Sequence, residues 1–137
     1  MQTETYQKPF DDWHPVKKVI HARSVKIVFK EGEVWWCHVG VNVGFETDGK
    51  GTSFTRPVLI MKKFSQNMFF GLPFTSKDKK GTWYVPVMVN DVLSQAVLSQ
   101  VRTFDTKRLQ HKILDLSPSA YKKIKQQLGE LLGFVLK

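Results

Sequence analysis

The stretch that most constrains the fold is a run of four apolar residues, Val58 to Met61, directly after Arg56 and Pro57. Such a run is typical of a strand that is buried on both faces. A proline fits the first position of a strand, where no ladder N–H is required. We therefore expect a central buried strand with Arg56 at its start, where a long polar loop ends and a charge can meet a ligand. The alternative is an ordinary surface arginine on the rim of a loop.

Several other short stretches alternate between apolar and polar residues, or are short apolar runs, as strands are. The predicted strands span residues 33–41, 68–72, 82–89, 95–101 and 112–116. Pro73 is expected to end the second of them, residues 104–108 to form a turn, and residues 24–29 to be a short strand or an extended connection. Strands so close in sequence favour antiparallel pairing over βαβ units. We expect a mainly β fold with helices, built as a small half-open antiparallel barrel.

A helix is expected near each end of the chain. The first spans residues 8–23, where Asp11 or Asp12 can act as the N-cap and Pro15 fits only the first turn. Its apolar stripe consists of Trp13, Val16 and Ile20. The second helix begins with Ser117 as N-cap and Pro118 at the first helical position. Its apolar face consists of Tyr121, Ile124, Leu128, Leu131 and Leu132.

Composition and charge narrow the class of protein. With 137 residues the chain is expected to form one domain with a sizeable core. The 21 basic and 12 acidic residues give a net charge of +9, which favours a polyanionic partner, nucleic acid before membrane, over simple solubility. Cys37 is the single cysteine, so no intramolecular disulfide forms, and we expect an inert core thiol. Because no apolar run reaches the roughly 20 residues of a membrane span and no signal peptide is evident, we expect a cytoplasmic protein without a membrane partner.

A candidate phosphate site arises from the ends of two neighbouring strands. Thr75 follows the strand that ends near Pro73, as Arg56 precedes the strand that starts at Val58. In antiparallel neighbours the end of one strand lies beside the start of the other, so the two side chains can be adjacent. A guanidinium fork with a hydroxyl suits a phosphate. The alternative is that residues 75 and 76 form an ordinary turn.

Other chemistries are disfavoured, and some aromatic residues are candidates for stacking. The carboxylates are scattered, with no pairing for two metal ions, no zinc-type histidine spacing and no nucleophile elbow, so no metal or other cofactor is expected. His38 is interpreted as a strand residue with a satisfied hydrogen bond. Four aromatic residues are candidates for facing outward and stacking on bases, namely Trp36, Phe45, Phe54 and Tyr84.

The order of several short motifs resembles the MazF/PemK family of toxin endoribonucleases. The motifs are Gly32–Trp36, a loop with Gly44 and Glu46, Thr55–Ile60, Pro73–Ser76 and Leu98–Asp105. The resemblance runs from about residue 32 to residue 132. It divides the chain into an N-terminal helical extension, 1–31, and a PemK/MazF-like barrel domain, 32–137.

The resemblance implies an SH3-like barrel that dimerises and is neutralised by a MazE-like antitoxin. It implies metal-independent, sequence-specific cleavage of single-stranded RNA, leaving 2′,3′-cyclic phosphate and 5′-hydroxyl ends. By position, the catalytic residues it implies are Arg56, Thr75 and Glu46. The RNA-binding residues are Ser76, Gln100, Arg102, Lys77 and Lys50.

One departure from the family pattern concerns the general base. Some members carry an arginine and an aspartate where this sequence has Val97 and Ser99. The base is therefore unassigned, with Glu46 as first choice. Two alternatives to the endoribonuclease stay open: a non-catalytic nucleic-acid-binding module of the same fold, and a toxin of this fold that targets DNA gyrase.

Overall fold

The computed structural model describes residues 7–24 and 26–134, and in this part of the chain seven β-strands lie between two α-helices. In chain order the elements are α1 (Phe10–His21), β1 (Glu33–His38), β2 (Thr55–Lys63), β3 (Met68–Thr75), β4 (Tyr84–Val89), β5 (Val92–Val97), β6 (Arg102–Asp105), β7 (Leu109–Asp115) and α2 (Pro118–Leu131). Single 3₁₀ turns, Leu98–Gln100 and Thr106–Arg108, flank β6. None of the helices in the described ranges is long and apolar enough to cross a membrane.

The strands form a curled antiparallel sheet, which confirms the predicted half-open barrel. The strand order is β4-β5-β3-β2-β1-β7, and β6 pairs with β3 outside this path. Strand β3 changes its neighbour along its length: residues 68–71 pair with β6, whereas Phe74 and Thr75 pair with β5. Because one strand serves two neighbours on the same side, the sheet bends there and encloses a core.

The core confirms that β2 is buried on both faces. Val58 and Ile60 pack in a cluster with Cys37, while Leu59 and Met61 pack in a second cluster with α2. Cys37 is fully buried, and this burial raises the pKa of its thiol to about 12. The expectation of a core thiol is therefore confirmed.

Helix α1 lies on the loop between β1 and β2 through its apolar stripe. Trp13 and Ile20 are buried against Val41 and Phe54, and the rings of Trp13 and Phe54 meet edge to face at 5.5 Å. The predicted N-cap of α1, Asp11 or Asp12, is wrong. The Pro9 carbonyl accepts from Trp13 N at 3.1 Å, so the helix starts at Phe10, before either aspartate, and has no side-chain cap. Pro15 accordingly lies in the second turn.

Helix α2 begins as predicted but is less buried at its end. Ser117 Oγ accepts from Ala120 N at 3.2 Å, with Pro118 in the first turn. Ile124 and Leu128 are buried, and the Tyr121 hydroxyl donates to the Met61 carbonyl at 2.8 Å. Leu131 and Leu132, at the end of the helix, are exposed, so the predicted apolar face is buried only in part.

Several predicted strand limits are corrected. Strand β3 continues through Pro73 to Thr75, because Pro73 falls between the β6 partner Gly71 and the β5 partner Phe74, where no ladder N–H is required. Strand β2 starts at Thr55, ahead of Arg56. The other corrected limits are an end of β1 at residue 38, starts of β4 at 84 and β7 at 109, and a β5 shifted to 92–97. The turn predicted over 104–108 is confined to Thr106–Arg108, because residues 104 and 105 belong to strand β6. Residues 26–30 form no strand, in agreement with the extended connection.

Candidate functional site

Arg56 and Thr75 lie next to each other at one end of the β2–β3 pair. Val58 pairs with Pro73, so two residues further toward the same end the register brings together positions 56 and 75. Both side chains line one cleft, and Arg56 Nη1 donates to the Phe74 carbonyl at 3.4 Å. The predicted adjacency of the two residues is therefore present in the structure.

The guanidinium of Arg56 is held from two sides. Its Nε donates to the main-chain carbonyl of Asp48 in the long loop, while Nη1 reaches Phe74 on β3. Burial lowers the pKa of Arg56 and the nearby Asp48 charge opposes that shift. Since an arginine stays protonated in proteins, the result is a partly desolvated positive charge of fixed direction.

The cleft around Arg56, called here the arginine cleft, has a volume of about 510 Å³ and is cationic. Burial, and then the charges of Arg56 and Lys77, lower the pKa of Lys50. Two cations, Lys50 and Arg56, line the cleft and the charge of Lys77 lies close to Lys50, which favours an anionic ligand. The other lining residues include Trp36, Thr75, Ser76, Asn90, Ser94 and Ile113.

A second cleft, called here the glutamine cleft, has a volume of about 640 Å³ and holds the remaining predicted residues. Gln100 holds the loop over it: its Oε1 accepts from Thr47 N at 2.9 Å and its Nε2 donates to the Phe45 carbonyl at 3.2 Å. Glu46 Oε1 accepts from Val43 N at 2.8 Å. The guanidinium of Arg102 lies 4.7 Å from the centre of the Phe104 ring.

The structure thus divides the predicted site residues between two clefts. The arginine cleft contains Arg56, Thr75, Ser76 and Lys50, and Lys77 adjoins it through a hydrogen bond from its backbone N to Thr75 Oγ1 at 3.3 Å. The glutamine cleft contains Glu46, Gln100 and Arg102. Residues 39–54, called here the clamp loop, contribute to both clefts and connect them.

Two of the four aromatic candidates lie in the clefts. Trp36 lines the arginine cleft half-buried, and Phe45 is fully exposed at the rim of the glutamine cleft. Phe54 is buried against Trp13, so its prediction as an outward-facing stacking residue is wrong. The reason is α1, which covers that face of the clamp loop. Tyr84 is half-buried and belongs to neither cleft lining.

Some residues of the site were not predicted from the sequence. Asn90, at the β4–β5 turn, and Ser94, on β5, line the arginine cleft. Asn42 holds the clamp loop by donating to Val39 O and Thr47 O at 3.2 and 2.8 Å. An Asn-Asp pair is typical of a turn, but nothing local indicates which cleft the turn faces. His38 Nδ1 lies 2.7 Å from the Ser53 carbonyl, which confirms its structural interpretation. Within the described ranges, no group of three His, Cys, Asp or Glu side chains is placed to hold a metal ion.

The curled antiparallel half-barrel followed by helix α2 has the MazF-like toxin fold. Residues 30–132 match the family of PemK-like, MazF-like toxins of type II toxin–antitoxin systems. Since this match covers most of the sequence, the chain belongs to that family. Among curated proteins, none is significantly similar in sequence to this chain.

Solved structures of the same fold are similar over most of their length. MazF from Deinococcus radiodurans is 21% identical, with a TM-score of 0.66 over 79% of this chain and 99% of that one. The MazE–MazF complex of the same organism gives 19% identity and a TM-score of 0.61 over 80% and 99%. An endoribonuclease in complex with its cognate antitoxin, from a mycobacterial species, gives 16% and 0.60 over 80% and 100%. At such identities the likeness establishes the fold.

Proposed function

We propose that this protein is the toxin of a toxin–antitoxin pair and acts as a metal-independent, sequence-specific endoribonuclease on single-stranded RNA. The observation that carries the proposal is the Arg56–Thr75 pair in a cleft that Lys50 also lines and Lys77 adjoins. A phosphodiester is the anion that such a fork of donors and a hydroxyl fit best.

The proposed reaction is an attack by the 2′-oxygen on the adjacent phosphorus. The O2′–P bond forms and the P–O5′ bond breaks, which leaves a 2′,3′-cyclic phosphate and a 5′-hydroxyl. One proton leaves the 2′-hydroxyl and one is delivered to the 5′-oxygen. Negative charge develops on the phosphoryl oxygens in between, and stabilising such charge with preorganised donors is often the largest catalytic contribution.

We assign to Arg56 and Thr75 the stabilisation of the negative charge that develops on the phosphoryl oxygens. The two carbonyls that hold the guanidinium occupy Nε and Nη1, so its remaining N–H groups are available to phosphoryl oxygens. Thr75 Oγ1 orients one oxygen, and Ser76 lies beside it in the same cleft. Lys50 and Lys77 bind flanking phosphates of the RNA backbone.

We assign to the glutamine cleft the binding of a neighbouring part of the RNA and the removal of the proton from the 2′-hydroxyl. Glu46 is the proposed general base, and since it lines the second cleft, this role requires the clamp loop to bring its carboxylate within hydrogen-bond reach of the 2′-hydroxyl next to the phosphate that Arg56 binds. The exposed ring of Phe45 and the half-buried ring of Trp36 are suited to stack on bases of the RNA. Gln100 and Arg102 contact the part of the RNA that lies in the glutamine cleft.

The proposed partners follow from the family. Solved relatives include MazF bound to MazE and an endoribonuclease bound to its cognate antitoxin. We propose that this chain forms a homodimer and is neutralised by a MazE-like antitoxin. Native mass spectrometry of the chain, alone and mixed with a MazE-like antitoxin, tests both assemblies.

The cleavage test uses a long single-stranded RNA in EDTA, with mapping of the new ends. The wild type is expected to cut at discrete sites with 5′-hydroxyl ends, and Arg56→Ala to cut far more slowly at the same sites. Lys123→Ala is the matched control, because Lys123 is exposed on α2 and lines neither cleft. Salt-sensitive RNA binding without cutting would favour a non-catalytic binding module instead. Inhibition of DNA supercoiling with intact RNA would favour a gyrase-targeting toxin.

A further inference from the structure

We propose that Lys8, which precedes α1, is a positioning residue for Arg56, acting through Asp48 of the clamp loop. This inference rests on the proposed function for its catalytic meaning, but the contact itself can be tested without activity. Lys8 lies outside the part of the chain that matches the toxin family, which begins at residue 30. The N-terminal region would therefore contribute to the site as well as to the fold.

Lys8 reaches across the clamp loop with a single ammonium group. Its Nζ donates to the carbonyl of Asn42 at 2.6 Å and to Asp48 Oδ1 at 3.2 Å, and lies 3.5 Å from the carbonyl of Glu46. These acceptors come from both ends of the segment 42–48. One charge thereby closes that segment of the loop into a fixed turn.

Asp48 transmits this contact to Arg56. Its Oδ1 accepts from both Lys8 and Asn42 N, the latter at 2.7 Å, so the carboxylate is anchored on two sides. The main-chain carbonyl of the same residue accepts from Arg56 Nε. Any shift of Asp48 therefore moves one of the two acceptors that set the direction of the guanidinium.

The ion pair between Lys8 and Asp48 is shielded from water. The side chains of Lys8 and Asp48 are each only 16% exposed, in contrast to the largely exposed Lys62–Glu31 pair, whose side chains are 62% and 38% exposed. Exposed pairs contribute little, because water screens both charges. A shielded carboxylate that loses its cation is left in an unfavourable environment and is expected to move toward water.

The position of Lys8 is itself fixed by α1. Trp13 lies against Gly40 at the start of the clamp loop, so closely that a Cβ at residue 40 would be 2.4 Å from the indole ring. Gly40 also has a φ of +82°, which favours glycine. Arg108 adds a further anchor, with Nη1 donating to the carbonyls of His38 and Val39 at 2.9 and 3.2 Å. Lys8 is thus held by a rigid helix against a loop whose base is also rigid.

The first experiment measures the contact directly by NMR on the full chain. The Nε–H resonance of Arg56, assigned by its loss in Arg56→Lys, reports the hydrogen bond to the Asp48 carbonyl. We expect Lys8→Met to broaden this resonance and to speed its exchange with water. Lys8→Arg, which keeps the charge, should restore it. Lys18→Met is the matched control, because Lys18 is an exposed lysine on α1 itself.

The second experiment measures steady-state cleavage of a short RNA by the same variants. We expect Lys8→Met to lower kcat about tenfold with little change in KM, because a misplaced catalytic group is felt mainly in the transition state. Asp48→Asn should act in the same direction. Combining the two substitutions should add little to either alone, since both act on one contact.

The outcomes separate this inference from the proposed function. An unchanged Arg56 Nε–H resonance in Lys8→Met overturns the inference, whether or not the protein cleaves RNA. A changed resonance with an unchanged kcat shows that the contact exists but does not position the catalytic group, which also overturns it. If the wild type cuts no RNA while Lys8→Met still alters the resonance, the proposed function fails and the structural coupling stands.

Discussion

Arg56 and Thr75 face the same cleft from adjacent strands, and the Arg56 guanidinium donates across the strand pair to the Phe74 carbonyl at 3.4 Å. The two residues are 19 positions apart in the chain and are brought together by the antiparallel register of β2 and β3. The pair combines a fixed positive charge with a hydroxyl on rigid elements. Rigid placement is what electrostatic stabilisation of a transition state requires.

The first prediction concerns the guanidinium. Arg56→Ala should reduce the rate of RNA cleavage by about 10²–10³-fold, the usual cost of removing one preorganised charge-stabilising donor. Arg56→Lys should restore little of it, because an ammonium cannot bind Asp48, Phe74 and a phosphate with planar geometry. Single-turnover cleavage rates measure both effects. Recovery of near-normal cleavage by the lysine variant would mean that charge alone, without the fork, is sufficient.

The second prediction concerns the salt dependence of RNA binding. Lys77→Ala should weaken binding to a non-cleavable RNA and reduce the slope of log K against log salt concentration by about 0.7, the value for one single-strand phosphate contact. Lys50→Ala should behave similarly. Fluorescence anisotropy at several salt concentrations gives the slopes. Lys123→Ala on α2 is the control. An equal slope change in that variant would show that the RNA responds to the overall positive charge of the protein and not to a phosphate contact at Lys77.

The third prediction concerns the contribution of Glu33 to the free energy of unfolding and its dependence on pH. Burial alone would raise the pKa of Glu33, but hydrogen bonds from the Trp35 indole, the Lys30 amide and Lys112 lower it below its ordinary value of 4.5. The Trp35 Nε1–Oε1 distance is 3.0 Å and the Lys112 Nζ–Oε2 distance is 3.1 Å. Glu33→Gln should therefore lower the free energy of unfolding by about 2 kcal/mol at pH 7.

The sign of the pH effect follows from the lowered pKa. A carboxylate with a depressed folded-state pKa stabilises the protein above its unfolded-state pKa and loses this contribution as pH falls through the folded-state value. The difference between wild type and Glu33→Gln should thus be full at pH 7 and shrink below about pH 4.5. Urea unfolding at pH 7, 5 and 3.5 measures it. A constant difference across that range would contradict the assigned hydrogen bonds.

The fourth prediction concerns the buried thiol. Because Cys37 is fully buried with its pKa raised to about 12, it should resist thiol reagents in the native protein at pH 8. Denaturation in urea should expose one reactive thiol per chain. A disulfide-exchange reagent followed by absorbance gives both values. Rapid labelling of the native chain would indicate that β1 opens more readily than its position in the sheet suggests.

Much of the fold could be predicted from short-range patterns. The apolar run of β2 is buried on both faces, the stripe of α1 packs inward, and Ser117 with Pro118 begins α2. These features depend on periodicity and capping, which a few neighbouring residues determine. The adjacency of Arg56 and Thr75 could also be anticipated, because antiparallel strands bring the start of one beside the end of the next.

The sequence by itself determined most of the elements, the antiparallel barrel and the adjacency of Arg56 and Thr75. Only the tertiary structure decided that Glu46 and Gln100 line a separate cleft, that Phe54 is buried beneath Trp13, and that β6 pairs with β3. It also decided that Lys8 meets Asp48, 40 residues further along the chain. The physical reason is that such contacts depend on strand register, loop path and helix docking. These are set by packing across the whole chain, and no local pattern records them.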